Sequence, residues 1–158
     1  MLTHKLVESI EIHWEQLTAK LIHTVRQDPK LEHVGKLPES ELKEWCRRFV
    51  QNLGHWLGGD LEALAPRYEE MGKTRFEQGV PLHEAVHCLH ILKEAILDFA
   101  RERGLGGSTL EIYAEEELEY KIGRSFDRLT YHLVHGYESA MHAAARRNAR
   151  AAVATKEA

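Results

Sequence analysis

Cysteine is scarce in this chain, with only Cys46 and Cys88 among 158 residues. Two cysteines point to a reducing cytoplasm and to thiols used as small buried apolar groups. A chain of this length buries about 70% of its unfolded surface and needs no staples. No apolar run approaches the roughly 18 residues that span a bilayer, which excludes a membrane-crossing helix. The opening stretch MLTHKLVESIEIHWEQL carries Glu8, Glu11 and Glu15 among its apolar residues, so it is not expected to be a signal peptide. Charge of one sign is lacking too: a formal net charge of −4 is too weak to argue for a nucleic-acid partner. No segment alternates apolar and polar residues, which excludes half-buried strands. Fixed-period repeats, low-complexity tracts and a second domain are absent. Ser9, Ser40, Ser108, Ser125 and Ser139 sit in no nucleophile elbow. Gly54, Gly58 and Gly59 form no phosphate-cradling loop after a strand.

Hydrophobic content of 43% and charged content of 29% are ordinary for one soluble globular domain. Helical periodicity runs almost throughout. Leu2, Leu6, Ile10, Trp14, Leu17, Leu21 and Val25 step by threes and fours, predicting one long first helix that ends near Asp28-Pro29. Pro38, followed by Glu39 and Glu41, marks a second start. That helix buries Leu42, Trp45, Phe49, Leu53 and Trp56 and stops at Gly58-Gly59. Asp60 is placed to cap a short turn through Leu64. Pro66 opens a third helix to about Gln78, with Tyr68, Met71 and Phe76 inward. Gly79 ends it, and Pro81 opens a fourth that runs to about Arg103. Gly104, Gly106 and Gly107 form a flexible loop, and Ser108 with Glu111 makes a capping box for the fifth. Leu118, Ile122, Phe126, Leu129, Leu133 and Tyr137 lie on one side of that long last helix. The expected fold is all-α: a single-domain bundle of about five helices with a long C-terminal helix, a globin-like arrangement being one variant. Residues 1–145 form the domain. Residues 146–158 keep helix propensity but lose large apolar groups, so they leave the bundle as an exposed helix or fray.

The eleven histidines are the unusual element. Roughly a quarter would be charged at pH 7 and roughly three quarters at pH 6, so the net charge changes sign over that unit. This reads either as a pH-sensing property or as an accident of composition. His83, Glu84 and His87 satisfy HExxH, the zinc-protease pattern in which two imidazoles hold the metal and the glutamate polarises its water. The site needs a third protein ligand. His90 stands where the metzincin extension has glycine, and Lys93 where it has its last ligand. A glutamate from the next helix, among Glu111, Glu115, Glu116 and Glu117, is left as a source. A peptidase would also bind its substrate along an edge strand, and no strand is expected.

At about 100° per residue, Leu82, Val86, Leu89, Leu92, Ile96 and Phe99 share one side of the fourth helix. His83, His87, His90 and Glu94 share nearly the opposite side. That row reads as a solvated or partner-facing surface, and as the candidate metal site if one exists. His132, His135 and His142 read the same way on the fifth helix. Haem held by one histidine, with His13 and His55 beside tryptophans as the ambiguous positions, is the remaining cofactor reading.

Tyr68, Gly72, Arg75, the run Gly79-Val80-Pro81-Leu82, Glu84, Val86, Leu89, Leu92, Ile96 and Phe99 form a pattern. Looser matches lie around Trp14, Asp28-Pro29, Phe126, Tyr131 and Tyr137. This pattern resembles the N-terminal domain of RsbRD-type regulators, the RsbT co-antagonist proteins of the bacterial stressosome. Similar domains precede sensor histidine kinases. The resemblance implies an all-helical sensory or scaffolding domain, often dimeric, that signals through its C-terminal helix. It supplies no catalytic residue, and it accounts for Glu84 and the Gly-Val-Pro corner without catalysis. The expectation is a cytoplasmic, non-enzymatic signalling module without a required cofactor, zinc or haem being the alternatives. Its expected partners are a second copy of the chain and a downstream signalling protein or fused output domain. Neither nucleic acid nor membrane is expected.

Overall fold

The computed structural model describes residues 2–103 and 108–158. The expected glycine loop at Gly104, Gly106 and Gly107 lies outside the described residues, as does the side chain of Leu2. Every regular element among the described residues is helical. They are α1 (Leu2–Ile12), α2 (Trp14–Gln27), α3 (Glu39–Val50), α4 (Leu53–Leu57), α5 (Ala65–Glu77), α6 (Leu82–Arg103) and α7 (Thr109–Glu157). Short 3-10 turns at Pro29–Leu31, Val34–Lys36 and Asp60–Leu64 fill the connections. None of these helices is long and apolar enough to cross a membrane.

Two of the expected helices are each split in two, by a similar device. At His13 the ring Nδ1 donates to the Ser9 carbonyl at 2.7 Å, and the backbone leaves helical geometry (φ −96°, ψ 25°). At Asn52 the side-chain amide donates to the Arg48 carbonyl at 2.9 Å, with φ −113° and ψ 21°. In both cases a side chain bonds the carbonyl four residues back; the Ser9 carbonyl also keeps the His13 backbone N–H at 3.2 Å, so there the two donors share one acceptor. Glu11 then secures the second break, accepting the Gly54 N–H at 2.7 Å near the start of α4.

The punctuation residues act where expected. Asp28 closes α2 and accepts the Lys30 N–H at 2.9 Å to start the next turn. Pro66 stands in the first turn of α5. Gly79 takes a left-handed φ of 74° between α5 and α6, a conformation costly for any residue with a Cβ. Ser108 and Glu111 form the reciprocal capping box of α7.

One continuous apolar core runs through the bundle, with Ile10, Leu17, Leu21, Leu42, Phe126 and Ile96 fully enclosed. Phe49 meets Phe126 edge-on at 5.1 Å, joining α3 to α7. Of the tryptophans, Trp56 is buried, while Trp14 and Trp45 are half-buried against the core. The last buried residue of α7 is Gly136, and every residue from Ala145 to Ala158 is exposed. The helix nevertheless continues to Glu157, about 70 Å from its start at 1.5 Å per residue.

Candidate functional site

The most extensive packing in the fold joins α5 to α7, and it is made backbone to backbone. A Cβ added at Gly72 would lie 2.1 Å from the Leu133 carbonyl oxygen and 2.7 Å from the Tyr137 nitrogen. One added at Gly136 would lie 2.0 Å from the Glu69 carbonyl oxygen. Small residues on both helices are therefore what allows this crossing. Around it, Glu69 Oε1 accepts from His135 Nδ1 at 2.8 Å, with His132 Nδ1 at 3.5 Å. The His135 bond, aided by the nearby His132 ring, holds the Glu69 carboxyl below its ordinary value despite an opposing effect of burial. At 3.5 Å the His132 contact is an ion pair in range only, and its buried Nδ1 has no hydrogen-bond partner among the described residues.

The α5–α6 corner is tied to the same crossing. Tyr137 donates its hydroxyl to the Val80 carbonyl at 2.7 Å, and its ring meets Phe76 edge-on at 5.5 Å. Arg75, buried on α5, donates to Glu41 of α3 and to Gln78 Oε1 at 2.8 Å. Gln78 Nε2 also donates to Glu41, at 2.9 Å. Burial raises the Glu41 carboxyl, but Gln78 and Arg75 outweigh it and leave the group below its ordinary value. The corner is thus held by α3 on one side and α7 on the other.

The HExxH residues do not converge. Glu84 is 4% exposed and points inward, away from the imidazole row. Its carboxylate accepts the backbone N–H of His33 at 2.9 Å, that of Val34 at 3.0 Å and His33 Nδ1 at 3.0 Å. All three donors come from the turn between α2 and α3, so Glu84 clamps that connection. Burial pushes its carboxyl up, and the His33 ring followed by the Val34 and His33 N–H groups bring it below the ordinary value. A carboxylate spent in this way is not available to polarise a metal-bound water.

His83, His90 and Glu94 are exposed on the outer side of α6, and His87 is partly exposed, its Nε2 3.1 Å from Asp28 Oδ2. Among the described residues, no group of three or more histidine, cysteine, aspartate or glutamate side chains is arranged to hold a metal ion. The haem candidates are engaged elsewhere. His13 donates from Nδ1 to Ser9, which leaves Nε2 to accept from Arg103 Nη1 at 3.1 Å. His55 is exposed, with Nε2 3.0 Å from Asp60 Oδ2.

Sequence reasoning missed Gly136, Glu69 and the Tyr137–Val80 tie. A glycine inside a strong helical pattern costs about 1 kcal/mol against alanine, and such a cost signals close backbone approach. That signal was present at Gly136. Nothing in the spacing pointed to Glu69.

No curated protein and no solved structure matches this chain. The family model described as the RsbT co-antagonist protein rsbRD N-terminal domain matches residues 15–152. That span begins beside the His13 break and takes in the α5–α6 corner, the crossing at Gly72 and Gly136 and most of the exposed part of α7. The chain belongs to the RsbRD N-terminal domain family.

Proposed function

We propose that this chain is a cytoplasmic, non-enzymatic signalling module of the stressosome-related type, acting as a homodimer on a downstream protein or fused output domain. The observation that carries this reading is the α5–α7 crossing. Two glycines bring the backbones into contact, and beyond them α7 continues as bare helix. A change in how α5 lies on α7 reorients that projecting segment, because a contact without intervening side chains has little compliance. Family membership supports the signalling role. The spent Glu84 carboxylate favours a non-enzymatic reading over a peptidase.

A second feature of α7 supports the dimer. Of its seven exposed large apolar residues, Leu110, Tyr113, Tyr120, Tyr131 and Met141 fall on one seam of alternating three- and four-residue steps, with Ile112 and Val153 off it. That is the spacing of a helix that pairs with another helix. Val134 and the charged Glu117, Arg124, Asp127 and Glu138 occupy the remaining seam positions, and the charges would set register.

Light scattering on the intact chain tests this. The expected result is a dimer that Tyr120→Glu with Tyr131→Glu converts to monomer without loss of helical circular dichroism. A strict monomer at high concentration would remove the dimer from the proposal. Deleting residues 146–158 is expected to leave the melting temperature nearly unchanged, while abolishing capture of the output partner.

A further inference from the structure

The crossing uses only one side of α5. The opposite side, with α3 and the segment around α4, walls a cavity of about 570 Å³, within the roughly 300–1,000 Å³ usual for small-molecule sites. Its apolar surface comes from Trp45, Phe49, Trp56, Leu64 and Met71. All five are part of the core or packed on it, which makes the walls stiff: Phe49, Trp56 and Leu64 are buried, Met71 packs on the core, and Trp45 is held by donating Nε1 to the buried Tyr68 hydroxyl at 3.1 Å. The flat indole and phenyl faces suit a planar ring.

The charged lining is unevenly committed. Arg75 and Glu41 are bonded to each other. Glu44 is engaged by two guanidiniums at once, that of Arg48 and, from outside the lining, that of Arg47. Arg67 and Glu70 line the cavity without an ion pair among the described residues. The buried Trp56 Nε1–H lacks a hydrogen-bond partner among the described residues as well. The lining carries three guanidiniums and three carboxylates; Glu41 and Glu44 are spent on arginines, which leaves Arg67 as the uncommitted cation and Glu70 as the uncommitted carboxylate among the described residues.

We propose that this cavity between α3 and α5 binds a small planar aromatic anion, of the aromatic carboxylate class, with its ring on the tryptophan-rich wall and its carboxylate toward Arg67. The proposal deepens the sensory reading above and rests on it for biological purpose. A ligand there presses on α5, whose far side carries Gly72 against α7.

Titration calorimetry of the intact chain with 2-naphthoate is the test, run beside 2-naphthylmethylammonium, which has the same ring and the opposite charge. Naphthoate is expected to saturate one site per chain and to bind at least about fivefold more tightly than the ammonium probe. Arg67→Ala, an exposed change, should weaken naphthoate about fivefold and leave the cation no weaker. Thr74→Phe, which places a ring in the cavity, should abolish binding. If circular dichroism finds that variant unfolded, Arg67→Ala and the two-probe comparison decide. Failure of naphthoate to saturate by about 1 mM overturns the proposal. Equal or tighter binding of the cation overturns it too, in favour of an aromatic cage for ammonium groups. So does full binding to folded Thr74→Phe. Hydrogen exchange along α7, with and without naphthoate, separates the two ideas. Saturable binding that leaves α7 unchanged sinks the sensory reading and leaves the site in place.

Discussion

Gly136 of α7 lies so close to Glu69 of α5 that a methyl group added at Gly136 would stand 2.0 Å from the Glu69 carbonyl oxygen. Helix propensity and packing therefore make opposite predictions here. Propensity alone favours alanine over glycine in a helix interior by about 1 kcal/mol. The clash with backbone requires the helices to separate, at a cost near the upper end of overpacking, about 3 kcal/mol. Gly136→Ala and Gly72→Ala are each expected to lower stability in urea denaturation. Gly123→Ala, on the same helix but with nothing within 4 Å of the added Cβ, is expected to raise it by about 0.5–1 kcal/mol. Stabilisation by all three substitutions would refute the close crossing.

Glu84 gives a prediction in pH. Its folded-state carboxyl lies below the ordinary 4.5, since the His33 ring and two backbone N–H groups outweigh burial, the largest single influence. A lowered value means that the carboxylate stabilises the fold above about pH 4.5 and that this contribution fades as pH falls through the folded value. Glu84→Gln removes the charge while keeping the volume. It is expected to cost about 2 kcal/mol at pH 7 and to flatten the acid limb of the stability curve. Neither wild type nor variant is expected to hydrolyse peptides with zinc added. Zinc-dependent hydrolysis lost in Glu84→Gln, with unchanged stability, would restore the protease reading.

The thiols supply a third test. Burial pushes Cys46 up to about 11, with the Thr18 hydroxyl opposing it, and pushes Cys88 up to about 12. Neither is a thiolate near neutrality, and both are enclosed. Labelling by a thiol-specific reagent at pH 8 is expected to be slower in buffer than in urea by roughly a thousandfold or more, following the opening equilibrium. Rapid labelling of the native protein would place these residues outside the core.

Much of the architecture was legible because its signals are local. Pro66, Gly79, the Ser108–Glu111 box and the spacing of Leu118, Ile122 and Phe126 each act within one or two turns. The breaks at His13 and Asn52 were not legible. The apolar stripe runs through both positions, and the side-chain bonds that interrupt the helix are compatible with the same stripe. Glu84 is the clearest case of a role that spacing could not supply. Its neighbours in sequence suggest zinc, but its partners, His33 and Val34, lie some fifty positions away, beyond the reach of any spacing rule. The α6 surface row was readable by angle alone, which gave its direction but not its purpose.

The projecting end of α7 has the dimensions of a lever. From Tyr137 to Glu157 it measures about 30 Å, so each degree of swing at its root displaces the tip by about half an ångström. Sub-ångström adjustments within the bundle therefore arrive at the far end as movements large enough to make or break a contact.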